Sequence, residues 1–104
     1  MDRNYENAKE ILNQMKERYS CRAFSDKKIP EDVLKDIIEV GLRAASGGNL
    51  QPYSIIVVKD EDNKKLLYEA CGDQKFIFDA AVNLVFLMDW HKYDIYTKQK
   101  NAPF

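Results

Sequence analysis

Apolar residues recur every three or four positions between residues 4 and 17, at Tyr5, Ala8, Ile11, Leu12 and Met15, with charged and polar residues between them. That spacing winds them onto one face of a helix and predicts a first amphipathic helix. The period is lost from Tyr19 to Lys28, where Ser20, Ser25 and Asp26 collect, and this stretch reads as a loop or short extended segment. Pro30 then opens a second helix. Its missing N–H would have no partner in a first helical turn, and Glu31 and Asp32 suit the positive end of the helix dipole. Val33, Leu34, Ile37, Ile38, Leu42 and Ala45 continue its apolar face, and Gly47-Gly48 is the expected stop.

The pattern then changes. Tyr53 to Val58 is a compact run rich in β-branched residues and predicts a largely buried strand. Asp60 is placed to cap a third helix with Leu66, Leu67, Ala70 and Cys71 on its inward face and Gly72 as its stop. Phe76 to Ala81 suits a brief helical turn, and Val82 to Met88 predicts a second buried strand that ends at Asp89. Lys92 to Phe104 has no sustained period and reads as a loop or tail, with Ile95, Tyr96 and Phe104 apolar enough to dock. Helices interleaved with two strands make an α+β class, within a single domain over residues 1–104.

Composition narrows the function classes. With 45% hydrophobic and 32% charged residues, the chain has the apolar content of a folded domain and not that of a disordered one. Sixteen basic against seventeen acidic side chains leave a net charge of -1, with no bulk attraction for nucleic acid. The first six residues are polar where a signal peptide is apolar, and no run is long enough to span a bilayer, so no membrane association and a cytoplasmic location are expected. Cys21 and Cys71 lie far apart and read as free thiols of a reducing compartment. His91 is the only histidine and is expected to be a partly exposed residue just past a strand; alone it supports neither a His-rich metal site nor a Ser/His/Asp triad.

Two clusters remain as candidate chemistry. In Arg18-Tyr19-Ser20-Cys21-Arg22, two guanidiniums bracket a hydroxyl, a set suited to a phosphate or another anion; the same residues also serve as a solvated basic end to the first helix. In Ala44-Ala45-Ser46-Gly47-Gly48-Asn49-Leu50-Gln51-Pro52-Tyr53, small residues permit close approach of a flat ligand, and the amides of Asn49 and Gln51 offer donors and acceptors to a ring with alternating carbonyl and N–H edges. A glycine helix stop and a turn into a strand account for most of the same residues.

Taken in order, the segment RYSCRAFSDKKIPEDVLKDIIEVGLRAASGGNLQPYSIIVV closely resembles the opening part of the nitroreductase family of flavin mononucleotide (FMN) enzymes, and LLYEACGDQKFIFDAAVNLVFLMD resembles the helix, Gln-containing turn and strand that come next in that family. The resemblance runs over about residues 11 to 90. It implies a nitroreductase-like fold represented by its N-terminal half, FMN as cofactor with NAD(P)H as electron donor, and hydride passed on to a nitroaromatic, quinone or similar electron-poor acceptor. It also implies a homodimer with the flavin at the interface. Carried over by residue, the phosphate and the pyrimidine side of the ring fall to Arg18, Ser20 and Arg22, with backbone contacts from Tyr19. A turn reaching across the interface falls to Ser46, Gly47, Asn49 and Gln51, and a ring-edge contact falls to Gln74. No residue of the chain is implied as an acid or nucleophile.

The family's second half, with its central dimer helix and a basic cluster that completes the phosphate site, has no counterpart in these residues. If the chain stands alone, its helices and strands lack partners, and association or partial order is expected from the exposed apolar surface, at about 25 cal/mol per Å². The rival reading is a truncated, non-catalytic member that acts as an oligomerising or flavin-binding domain.

Overall fold

Two strands hold the chain together: β1, Tyr53–Val58, and β2, Asn83–Met88, pair antiparallel with Tyr53 opposite Met88 and Val58 opposite Asn83. The computed structural model describes residues 3–103, with side chains described from residue 5 onward. Along the chain the helices are α1 (Arg3–Glu17), α2 (Glu31–Leu42), α3 (Glu61–Ala70), the short α4 (Lys75–Asp79) and α5 (His91–Gln99), with a 3-10 turn at Gly47–Asn49 before β1. Because β1 and β2 run antiparallel, α3 and α4 form an excursion that leaves and returns at the Val58–Asn83 end. The Gly47–Asn49 turn leads into the other end and α5 departs from it, beside Tyr53 and Met88.

Local chemistry explains the element ends. Asp60 caps α3 by accepting from the Asn63 amide at 2.9 Å, and this hydrogen bond, followed by that from the Asn63 side chain at 3.0 Å, holds its carboxyl below the usual carboxylate range. At the far end Gly72 takes φ +76, the left-handed conformation glycine adopts without a Cβ clash, while the Asp73 amide closes the motif on the Tyr68 carbonyl at 3.0 Å. The first strand has the predicted bounds, and the second starts one residue late.

Three expectations need correction. Residues 92–104 are not a loop or tail throughout: α5 occupies His91–Gln99. Its stability is local and polar, which a search for apolar periodicity misses. Asp94 pairs with Lys98 one turn on at 2.8 Å, and the Thr97 hydroxyl donates to the Tyr93 carbonyl at 2.8 Å. Phe104 lies outside the described residues, and Ile95 and Tyr96 are exposed. The second helix stops at Leu42 rather than running to Ala45, as the Arg43 amide splits between the Glu39 and Val40 carbonyls and the last turn tightens.

The strands are not largely buried either. Ile56, Val57, Phe86, Leu87 and Met88 are exposed, and among the described residues Leu34 alone is a buried apolar side chain. The Cα radius of gyration is 18.4 Å, against about 13 Å for a closed domain of this length. Tyr5, Ile11, Leu12 and Met15 on α1 are likewise exposed, so the amphipathic face the sequence predicts is present and uncovered by the described residues.

Candidate functional site

The first cluster lies just past α1. The Arg18 amide still donates to the Gln14 carbonyl at 3.1 Å, and from there to Pro30 the chain follows neither a helix nor a strand. Arg18, Tyr19, Ser20, Cys21 and Arg22 are all exposed, and among the described residues neither arginine pairs with a carboxylate. Arg22 has one organised neighbour: its guanidinium carbon lies 5.8 Å from the centroid of the Phe76 ring. Phe76 is in α4, and Gln74 precedes that helix directly. The structure therefore brings Arg22 and the Gln74 turn together, as the sequence alone did not foretell. Gln74 spends its Nε2 on the Cys71 carbonyl at 3.0 Å, leaving its side-chain oxygen as an acceptor.

The second cluster is a ten-residue connection from α2 to β1. Its backbone turns left-handed at three places: Gly48 has φ +60, Asn49 φ +53 and Gln51 φ +50. Glycine takes this conformation freely and asparagine tolerates it, but at Gln51, directly before Pro52, it is costly. Several hydrogen bonds hold it. The Gln51 amide donates to the Ser46 hydroxyl at 3.0 Å, the Asn49 amide to the Ser46 carbonyl at 3.0 Å, and the Tyr53 amide to the Gln51 carbonyl at 2.8 Å across Pro52, a γ-turn entering the strand. Ser46, Gly47, Asn49 and Gln51 thus form one continuous turn. The side-chain amides of Asn49 and Gln51 are exposed and engaged by no hydrogen bond among the described residues. A Cβ built on Gly47 meets nothing within 4 Å. No hydrogen bond among the described residues joins this turn to the Arg18–Arg22 segment.

Sequence reasoning missed what fixes the turn. Tyr53, read as the aromatic that closes the turn and opens the strand but given no role of its own, donates its phenol hydroxyl to the Leu42 carbonyl at 3.1 Å. Lys92 bonds the Tyr53 carbonyl at 2.7 Å, and its ammonium lies 5.6 Å from the Tyr53 ring centroid. Asp89 accepts from the Ser54 hydroxyl, its diagonal neighbour on the ladder, and its amide donates to the Pro52 carbonyl at 2.8 Å. The Ser54 hydrogen bond, then the Lys92 amide and the nearby charges of Lys92 and His91, hold the Asp89 carboxyl below the usual carboxylate range. An aromatic directly after a Pro turn was the available signal.

Grooves also lie away from these clusters. One of about 660 Å³ is bordered by Ser25–Ile29, Lys59–Glu61, Lys64 and Phe78 and crossed by the Lys59–Glu31 ion pair at 2.5 Å. Another of about 470 Å³ runs between α3 and the sheet, with Leu66, Leu67 and Ala70 facing Ile56, Val57 and Val85. No helix among the described residues is long and apolar enough to cross a membrane.

Known proteins share this architecture. The chain is 34% identical over 85 residues to an NADPH-dependent oxidoreductase of Staphylococcus aureus, an alignment covering 82% of this chain and 34% of that protein. The structure of B. megaterium NfrA2 superposes with a TM-score of 0.87 at 32% identity, over 91% of this chain and 39% of the other. An NADPH:FMN oxidoreductase from Vibrio harveyi, solved in complex with NAD+, superposes with a TM-score of 0.80 at 29% identity, over 84% of this chain and 38% of the other. The chain thus spans about a third of the length of the curated relatives it matches. The model of the nitroreductase family matches residues 15–104, nearly all of the chain, and with these relatives and this fold the chain belongs to the nitroreductase family.

Proposed function

We propose that the chain contributes the flavin-binding part of an FMN-dependent oxidoreductase that takes hydride from NAD(P)H and delivers it to a nitroaromatic, quinone or similar electron-poor acceptor. The observation that carries this reading is the donor set within a family-matched chain: an exposed arginine–serine segment and an exposed two-amide turn. The donors fit the group. Two guanidiniums and a hydroxyl, at Arg18, Arg22 and Ser20, suit a phosphate dianion, and Tyr19 adds backbone groups beside them. Asn49 and Gln51 carry unspent donors and acceptors suited to the alternating edge of a flavin ring, with Ser46 and Gly47 shaping the approach and the Gln74 side-chain oxygen as a further acceptor.

Bound FMN would supply the redox chemistry by accepting and then releasing hydride. The protein's part is binding, orientation and electrostatic bias. A guanidinium near the pyrimidine side of the ring favours the negative charge that develops there on reduction, which assigns Arg18 or Arg22 a role in tuning as well as anchoring. No side chain of the chain acts as nucleophile or general acid in this scheme. The uncovered apolar face of α1 supports a homodimer with the flavin shared between subunits, and the Staphylococcus and Vibrio relatives support a nicotinamide donor. A cytoplasmic setting, with its reduced nicotinamide pool, accords with this.

The test is a full-length preparation supplemented with FMN, desalted and assayed for retained flavin and for oxidation of NADH and NADPH. Retained flavin with nicotinamide oxidation is the expected result. The absence of both would overturn the reading.

A further inference from the structure

The strained turn at Gly48–Gln51 is closed by a residue outside it. At the end of α2 the Arg43 and Ala44 amides take up the Glu39, Val40 and Gly41 carbonyls, and Tyr53 reaches back across ten intervening residues to bond that of Leu42 at 3.1 Å. The same residue holds the Gln51 carbonyl through its amide at 2.8 Å. One side chain and its own backbone thus pin both ends of the connection that carries Asn49 and Gln51. Tyr53 is itself held on the side of α5, where Lys92 bonds its carbonyl at 2.7 Å and stands 5.6 Å from its ring centroid. Left open at either end, the loop would be freer to relax from its positive-φ conformation, which a glutamine before proline disfavours and which the Ser46 hydrogen bonds would then hold without the clamp.

We propose that Tyr53 is a positioning residue, whose hydroxyl bond to the Leu42 carbonyl, backed by Lys92, holds the Asn49–Gln51 turn in its ligand-binding shape. The proposal rests on the flavin reading for the identity of the ligand but not for the clamp itself. The hydroxyl touches no ligand; it acts through the turn. Its effect therefore falls on recognition of the ring and not on recognition of the phosphate, which belongs to the Arg18–Arg22 segment.

The experiment compares the full chain with Tyr53→Phe and Lys92→Met, reading amide exchange at Gln51 and along β1, and titrating each protein with FMN and with riboflavin. With Tyr53→Phe, the Gln51 amide is expected to exchange about 3- to 10-fold faster while β1 keeps its protection, as for loss of one neutral hydrogen bond. FMN and riboflavin affinities are expected to fall by the same several-fold factor, leaving their ratio unchanged. Lys92→Met should move both readouts in the same direction by less, and it decides the matter if Tyr53→Phe does not fold. Unchanged exchange at Gln51 overturns the clamp. Faster exchange with unchanged flavin affinity, or a loss confined to FMN, overturns the positioning role. If the unaltered chain binds neither flavin, the flavin reading fails, and the exchange rates alone uphold or overturn the clamp.

Discussion

The Arg22 guanidinium stands 5.8 Å from the centre of the Phe76 ring, joining the segment after α1 to the helical turn that follows Gln74. The two are more than fifty residues apart in the chain and become neighbours only because α3 and α4 return to the sheet. A cation over an aromatic face at an exposed site gains only about 0.5–1 kcal/mol. That is enough to bias one arginine rotamer and too little to immobilise it, so Arg22 is oriented yet available. Phe76→Leu is expected to leave the fold intact and weaken FMN binding about 2- to 5-fold by releasing Arg22. Flavin fluorescence titration checks this, and an unchanged affinity would remove Phe76 from the account.

Arg18→Ala and Arg22→Ala should each weaken FMN about 10- to 100-fold, the range for a hydrogen bond to a charged group, and should weaken riboflavin far less. The loss should shrink as salt rises, since an exposed anion site is screened. Equal losses for the two flavins would place the arginines away from the phosphate.

Glycines 47 and 48 separate fold from recognition. Gly47 has open space where a Cβ would go, whereas Gly48 has φ +60 and would set a Cβ 3.6 Å from Leu50. Gly48→Ala is expected to destabilise the turn by about 1–2 kcal/mol, the cost of a left-handed alanine. Gly47→Ala should leave thermal stability within about 0.5 kcal/mol of the parent. Any drop in FMN affinity for Gly47→Ala would then report a ligand lying against this backbone, and wild-type affinity would argue that the ring keeps its distance.

Acid should loosen the sheet end that supports the turn. Asp89 has its carboxyl held below the ordinary range by the Ser54 hydroxyl first, so its contribution is full above the unfolded carboxylate value and is lost as pH falls through the lower folded value. The protection of the Lys92 amide, which faces the Asp89 carboxylate at 3.4 Å, measured relative to its intrinsic exchange rate at each pH, is expected to fall across that window. Asp89→Asn should abolish the acid step. A pH-independent protection factor in the parent would show that the Ser54–Asp89 contact does not govern this end.

Much of this was legible in the sequence, for reasons that differ by element. The first strand announces itself because Ile55-Ile56-Val57-Val58 is β-branched and bounded by Pro52 and Lys59-Asp60. Helix α3 announces itself through Asp60 and Gly72, whose roles are local: a carboxylate that bonds the amide three residues on, and a residue free to take positive φ. Helix α5 stayed hidden because Tyr93, Ile95 and Tyr96 make no continuous apolar stripe; its signals were the Asp94–Lys98 spacing and the acceptor at Asp89. Strand burial was overstated since a β-branched run reports the capacity to be covered, while the cover comes from other layers. In the site, residue types were readable but their neighbours were not. Arg22 against Phe76 and Tyr53 against Leu42 depend on how distant segments return to the sheet.

Whether this chain builds a flavin site is read most directly from the visible absorption spectrum of the intact purified protein, followed through a sizing column after addition of FMN. A flavin band that travels with the protein at the size of a dimer is the expected result. Protein that elutes colourless, with all the flavin in the small-molecule fraction, would contradict it.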